Sequence, residues 1–161
     1  MSEFFADTFA IVISVVALGV SIWSLVESSA TRSRLWRIDA RRMLEEISSK
    51  TNAVAELIEP LRKEWFTLYV AKGMDRSGAR EQRDREIDDL AEKNNVQNLR
   101  TTELKSRLGQ SKHRAIEELL GDINSLKLEV ERNFEAVRDL QSLQERSAAE
   151  YHKSKRQSLQ R

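Results

Sequence analysis

A run of 19 residues without a charged side chain, from Thr8 to Val26, constrains the fold of this chain more than any other feature. A helix of that length is about 28 Å long, which is close to the roughly 30 Å hydrocarbon core of a lipid bilayer. Its small or polar interruptions are Thr, Ser and Gly, whereas a helix buried in a soluble core normally keeps a polar stripe. We therefore predict a transmembrane helix over residues 8–26.

A cleaved secretory signal is the alternative interpretation of this run, because Ser28, Ser29 and Ala30 offer a small-residue cleavage site. The first seven residues contain neither Lys nor Arg, however, and the apolar run is longer than the core of a typical signal peptide. We expect a retained anchor that follows a short extracytoplasmic N-terminus, residues 1–7.

The distribution of arginine around the run predicts its orientation. No Lys or Arg precedes it, whereas five Arg lie within the next 20 residues. Basic side chains near a membrane mark its cytoplasmic side. We therefore expect the long C-terminal part to be cytoplasmic. The residues expected to set the topology and to meet lipid headgroups are Arg32, Arg34, Arg37, Arg41 and Arg42.

Small residues in and just after the run are spaced alternately by four and three, so they share one helix face. In lipid, helices associate through close backbone approach and hydrogen bonds, which such residues permit. We predict a self-association face, and the alternative is that the Ser hydroxyls bond only to carbonyls of their own helix. The face comprises Ala10, Ser14, Ala17, Ser21, Ser24 and Ser28.

The rest of the chain has the composition of a helical, highly charged protein. Residues 27–161 hold 51 of the 53 charged residues, and the whole chain has five Gly, one Pro and no Cys. Scarce Gly and Pro favour helices over a turn-rich β protein. The absence of Cys excludes disulfides and thiolate metal sites. We predict an all-α fold.

Residues 27–72 are predicted to form a basic juxtamembrane segment and a first amphipathic helix. Apolar residues recur there with a mean step close to 3.6, the period of a straight helix. Pro60 lies inside this pattern and predicts a local kink. The apolar stripe consists of Trp36, Ala40, Met43, Ile47, Val54, Ile58, Leu61, Trp65 and Leu68, with Thr51 in the remaining place.

Gly73 and Gly78 mark the clearest break in the chain. Residues 73–100 are dense in charge and poor in large apolar side chains, which predicts a polar turn that continues into a solvated tip or a frayed helix. Residues 101–150 are predicted to form a second amphipathic helix that folds back on the first as a long hairpin or coiled coil. The alternative is a three-helix bundle with a second turn at Gly121 and Asp122.

The last segment, residues 151–161, is a basic tail without an acidic residue. A hairpin would return it beside the segment from Arg32 to Arg42, where its cations would face anionic lipid. The alternative is a solvated helix end whose cations suit the helix dipole.

The sequence offers little for catalysis or metal binding. It contains two His, and His113 with Glu117 at i, i+4 supplies two metal ligands without a third. We expect no catalytic residue, no metal and no cofactor. Acidic residues accompany the cations almost everywhere, so we do not expect a nucleic-acid partner.

We predict a membrane-anchored helical scaffold that forms homo-oligomers and tethers or regulates another protein at the cytoplasmic face. The alternative function is a small membrane-active oligomer that forms a pore or perturbs the bilayer. Large aromatics dominate interface energies, although packing within the chain is the alternative role for each. The predicted partner contacts are Trp36, Trp65, Phe66 and Tyr69.

Overall fold

The structure, a computed structural model, describes the backbone of residues 2–111 and 115–159 and the side chains of residues 17–28, 31–111 and 115–159. It contains three long helices, α1 (Ser2–Ala71), α2 (Gly78–Gln110) and α3 (Ala115–Leu159). The prediction of an all-α fold is confirmed.

Residues from about 33 of α1 onward pack with α2 and α3 into a bundle in which each helix contacts the other two. At one end, Leu108 of α2 and Leu119 of α3 pack near Leu44 of α1 in a proximal cluster. At the other end, Ile87 of α2 and Val137 of α3 pack near Trp65 in a distal cluster. Helix α2 is therefore antiparallel to α1, and α3 runs in the same direction as α1.

The buried positions of α1 repeat every 3.5 residues rather than every 3.6. Leu44 is 1% exposed, and Met43, which the sequence placed in the stripe, is only partly buried. The steps between successive buried residues are then strictly four and three, which is the heptad repeat of a left-handed coiled coil. The positions are Ala40, Leu44, Ile47, Thr51, Val54, Ile58, Leu61, Trp65 and Leu68.

The prediction of a polar turn or solvated tip over residues 73–100 is wrong for most of its length, because α2 begins at Gly78 and buries Ile87, Asn94 and Gln97 in the bundle. Its core positions also follow a heptad, but polar side chains occupy several of them, so a count of apolar residues misses the repeat. The buried residues of α2 are Ile87, Asn94, Gln97, Thr101, Leu104 and Leu108.

The turn between α1 and α2 has a specific backbone geometry. Gly73 adopts φ +67°, a left-handed conformation that glycine adopts without steric cost. The N–H of Met74 donates to the carbonyl of Tyr69 at 2.8 Å, and the N–H of Gly73 donates to that of Val70 at 3.0 Å, as in a Schellman motif. Ser77 caps α2 by accepting the N–H of Arg80.

The single second helix predicted over residues 101–150 is also wrong, because α2 ends at Gln110 and α3 begins at Ala115. The described residues therefore form three helices, as in the alternative interpretation. The second break does not lie at Gly121 and Asp122, which are inside α3. An exposed glycine inside a helix costs about 1 kcal/mol relative to Ala, which the packing of α3 offsets.

The basic tail lies at the opposite end of the bundle from the Arg32 to Arg42 segment. The hydroxyl of Tyr151 donates to the carbonyl of Ala71 at 2.8 Å, which places the last turns of α3 beside the distal turn. A three-helix bundle has one more chain reversal than a hairpin, so its last helix ends at the distal end rather than beside the start of the first helix. The predicted return of the tail towards the arginine segment is therefore wrong.

Within the part of the chain that the structure describes, no helix is long and apolar enough to cross a membrane. Of the predicted span, residues 8–16 lie outside the described side chains, and the described portion is residues 17–26.

Candidate interaction surfaces

Residues 17–28 of α1 project from the bundle, and the large apolar side chains of this projecting segment are exposed. Between 54% and 72% of the surface of each large apolar residue from Leu18 to Leu25 is accessible. Such continuous exposure of apolar surface marks an interaction site. The residues are Leu18, Val20, Ile22, Trp23 and Leu25.

The predicted self-association face is described in part. Ala10 and Ser14 lie outside the described side chains, and the other four members are exposed. The hydroxyl of Ser21 donates to the carbonyl of Ala17 at 2.9 Å, which is the bond back to its own helix that the alternative interpretation expects. That bond uses the hydroxyl proton and leaves the oxygen able to accept.

The five arginines divide into two groups. Arg32, Arg34, Arg41 and Arg42 are exposed. Arg37 is half-buried, and its Nη2 donates to the carbonyl of Ser111 at 2.6 Å. Ser111 is the C-cap of α2, so a cation meets a carbonyl at the negative end of that helix dipole. Arg37 therefore fixes the end of α2 against α1, a role that sequence spacing could not reveal.

A four-residue charge network joins α1 to α3. Lys50 contacts Glu46 and Glu131, each at 3.0 Å, and Lys127 contacts Glu46 at 2.9 Å. The hydrogen bonds from Lys127 and Lys50 lower the pKa of Glu46 from 4.5 to about 2. The hydrogen bonds from Lys50 to Glu131 and Glu46 raise the pKa of the Lys50 ammonium. The network therefore links the facing sides of α1 and α3.

A buried polar layer separates the proximal and distal clusters. Asn94 donates to the carbonyl of Thr51 at 3.0 Å, and Asn133 donates to the side chain of Gln97 at 3.1 Å. Thr101 donates to the carbonyl of Gln97 at 2.7 Å. Polar residues at heptad core positions specify register at a cost in stability. The layer therefore fixes how the three helices align.

The four aromatic residues predicted as partner contacts differ in how far they are buried. Trp65 and Tyr69 are buried, with ring centroids 5.7 Å apart, and the Arg83 guanidinium lies 4.6 Å from the Trp65 ring centroid. Their packing partners are within the chain. Phe66 is 46% exposed, with the Arg80 guanidinium 4.7 Å from its ring centroid. Trp36, at the proximal end, is half-buried.

Phe66 and two further apolar residues at the distal end are exposed. Val70 follows Phe66 by one turn of α1, Met74 lies in the turn after α1, and they are 49% and 41% exposed. The basic end of α3, with Lys153, Lys155 and Arg156, lies at the same end of the bundle. The distal end thus combines apolar surface with positive charge.

Shallow grooves run between the helices of the described bundle. A groove of about 390 Å³ between α2 and α3 is lined by Leu90, Leu140 and Leu143 with Asp and Glu at its rim. The described residues contain no group of three or more His, Cys, Asp or Glu able to hold a metal ion. His113 lies outside the described residues.

Comparison of the chain with protein-family models, with curated proteins and with solved structures gives no match.

Proposed function

We propose that this protein is a single-pass membrane anchor and scaffold whose three-helix bundle holds a partner protein at the cytoplasmic face. The observation that carries the proposal is the projecting segment of α1. Its apolar side chains from Leu18 to Leu25 are exposed in a helix that continues directly into the bundle. They belong to the charge-free run of 19 residues, whose length suits a bilayer.

The arginine distribution supports a cytoplasmic bundle. Arg32, Arg34, Arg41 and Arg42 are exposed where the projecting segment enters the bundle. They lie within about 16 residues of the end of the apolar run, the range over which basic side chains set the orientation of a span. In this orientation residues 1–7 are on the outer side and the distal end of the bundle points away from the membrane.

A scaffold requires a surface for its partner, and we assign this role to the distal patch of Phe66, Val70 and Met74. These side chains are exposed, whereas Trp65 and Tyr69 are engaged in the core. Self-association through the small-residue face of the projecting segment is the second part of the proposal, because Ala17, Ser21, Ser24 and Ser28 are exposed along one face.

Membrane fractionation of the expressed full-length chain tests the anchor. We expect the protein to stay in the membrane fraction after an alkaline carbonate wash. The matched variant Val16→Arg with Val20→Arg places two charges in the run and should release it, at a cost of about 2.5 kcal/mol or more for each arginine near the bilayer centre. Recovery of the unmodified protein in the carbonate-soluble fraction would contradict the proposal.

A reporter pair fused after Arg161 tests the orientation. A reporter that is active only in the cytoplasm should be active, and one that is active only outside should be silent. The same expressing cells should retain their membrane potential. Dye leakage that requires residues 8–26 would instead favour a pore-forming oligomer over a scaffold.

A further inference from the structure

Two large apolar residues, Leu35 and Ile38, are exposed on α1 where it enters the bundle. They are 56% and 61% exposed, although the opposite side of the same helical turns is buried at Ser33 and Ala40. Leu35 and Ile38 therefore form an apolar surface that the described part of the fold leaves uncovered.

This surface continues the small-residue face of the projecting segment. The alternating spacing of four and three that ends at Ser28 reaches next Thr31, then Leu35, Ile38 and Arg42. Each of these positions lies two residues before a core-facing position of α1, which is about 200° around the helix. Because both patterns repeat every seven residues, the face stays on the outer side of α1 throughout.

Lipid does not account for this exposed pair. In the proposed orientation, Leu35 lies nine residues beyond the end of the apolar run, or about 13 Å along the helix, and Ile38 about 18 Å. The headgroup region on each side of a bilayer is only about 5–8 Å thick. Both side chains therefore lie in water unless another protein covers them.

The charges beside the pair match a second copy of the same helix. In a parallel coiled coil with Leu35 and Ile38 at the interface, the residue just before Leu35, and its equivalent one heptad earlier, each face the residue five positions further along the partner. Arg34 then faces Asp39 of the other copy, and Glu27 faces Arg32. All four side chains are exposed. At Arg42 the interface ends, because two arginines would meet.

We propose that α1 forms a parallel homo-oligomeric coiled coil through Thr31, Leu35 and Ile38, which extends the membrane interface into the cytoplasm. This inference rests on the proposed membrane anchor, since anchoring at the same end makes the two copies parallel. The occupant of the exposed face is a second copy of this chain.

Disulfide scanning in membranes tests the inference, and the absence of native Cys makes each introduced thiol unique. Single variants Leu35→Cys, Ile38→Cys, Arg34→Cys and Asp39→Cys are expressed as full-length chains and oxidised in isolated membranes. Disulfides need Cβ atoms within about 4.5 Å, so the dimer band for Leu35→Cys and Ile38→Cys should exceed that for the two flanking controls by about fivefold.

Charge reversal provides a second measurement. Arg34→Asp and Asp39→Arg each place like charges across the interface and should lower the dimer yield at Ile38→Cys, whereas the combined swap should restore it. Antibody detection in washed membranes, run in parallel, reports the anchor separately.

Equal dimer yields at all four positions in membrane-bound protein would overturn the coiled coil while the anchor stands. If the combined Arg34→Asp and Asp39→Arg variant failed to restore the dimer yield at Ile38→Cys, the proposed pairing of Arg34 with Asp39 would be overturned. Protein absent from the membrane fraction would overturn the anchor and this inference with it.

Discussion

Glu46 sits between two lysines from different helices, and its titration should be visible in the stability of the bundle. Its pKa is about 2 in the folded protein against 4.5 ordinarily. A lowered folded-state pKa contributes stability above pH 4.5, which is lost as the pH falls from 4.5 towards 2. Because the Glu46 side chain is 41% exposed, solvent screening limits the contribution to about 1 kcal/mol or less.

Glu46→Gln should therefore lower the free energy of unfolding at pH 7 by that amount and reduce its loss between pH 4.5 and 2. Urea unfolding at several pH values measures both. Glu45→Gln is the matched control, since that side chain is exposed on the same helix. An identical acid response in the two variants would contradict the role of the network.

Asn94 is a buried polar residue of α2 whose side-chain amide is only partly hydrogen-bonded, so we expect it to lower the free energy of unfolding. It is 4% exposed, and its Oδ1 accepts no hydrogen bond from the described residues. A buried polar atom without a partner costs about 1–3 kcal/mol. Asn94→Leu keeps the number of side-chain heavy atoms and should raise the urea midpoint, by about 1 kcal/mol in unfolding free energy. The control Asn95→Leu changes an exposed neighbour, and its free energy of unfolding should stay within about 0.5 kcal/mol of the unmodified protein. A lower free energy of unfolding for Asn94→Leu would show that the polar layer is needed for stability.

Among the elements, the α1 to α2 turn depends on one backbone conformation. A Cβ added at Gly73 or at Gly78 meets no atom within 4 Å, but only Gly73 has a positive φ. Gly73→Ala should thus destabilise the bundle by about 1–2 kcal/mol through backbone strain alone. Gly78→Ala should be neutral or stabilising by up to about 1 kcal/mol, because alanine is the better helix former. Thermal unfolding followed by circular dichroism measures both, and equal effects would contradict this account.

The helices also show which information the sequence carries. The amphipathic stripe of α1, except for Leu44 in place of Met43, and the break at Gly73 can be predicted from apolar spacing and turn chemistry. The heptad of α2 could not be predicted that way, because Asn94, Gln97 and Thr101 hold core positions through hydrogen bonds to other helices or to their own backbone. Such bonds depend on partners that spacing alone does not identify.

For the interaction surfaces, the sequence predicted the residue types but not which side chains are exposed. Aromatic residues at the end of α1 were identified by type, yet only the packed structure separates exposed Phe66 from buried Trp65. The long-range contact of Arg37 with Ser111 joins residues 74 positions apart. Local pattern contains no signal for a contact of that kind.

For the whole molecule, the bundle and the projecting segment should be separable. Every buried side chain among the described residues lies between Ser33 and Gln144. Deletion of residues 1–30 should therefore leave the bundle folded, with a melting temperature within about 2–4 °C of the full-length chain, which corresponds to less than 1 kcal/mol. Circular dichroism and analytical ultracentrifugation of the truncated chain check this, and loss of cooperative melting would show that the segment is part of the folding unit.

Helix α1 continues through Pro60 from the charge-free run to the distal turn, so it acts as a spacer between the two ends of the molecule. Residues 27–71 of one helix measure about 66 Å. In the proposed orientation, a partner protein bound at Phe66 would be held at a distance of that order from the bilayer. Because the core positions of the bundle repeat every seven residues, removing seven matched residues from each helix would shorten the distance between the bilayer and the distal end by about 10 Å. The core would stay in register.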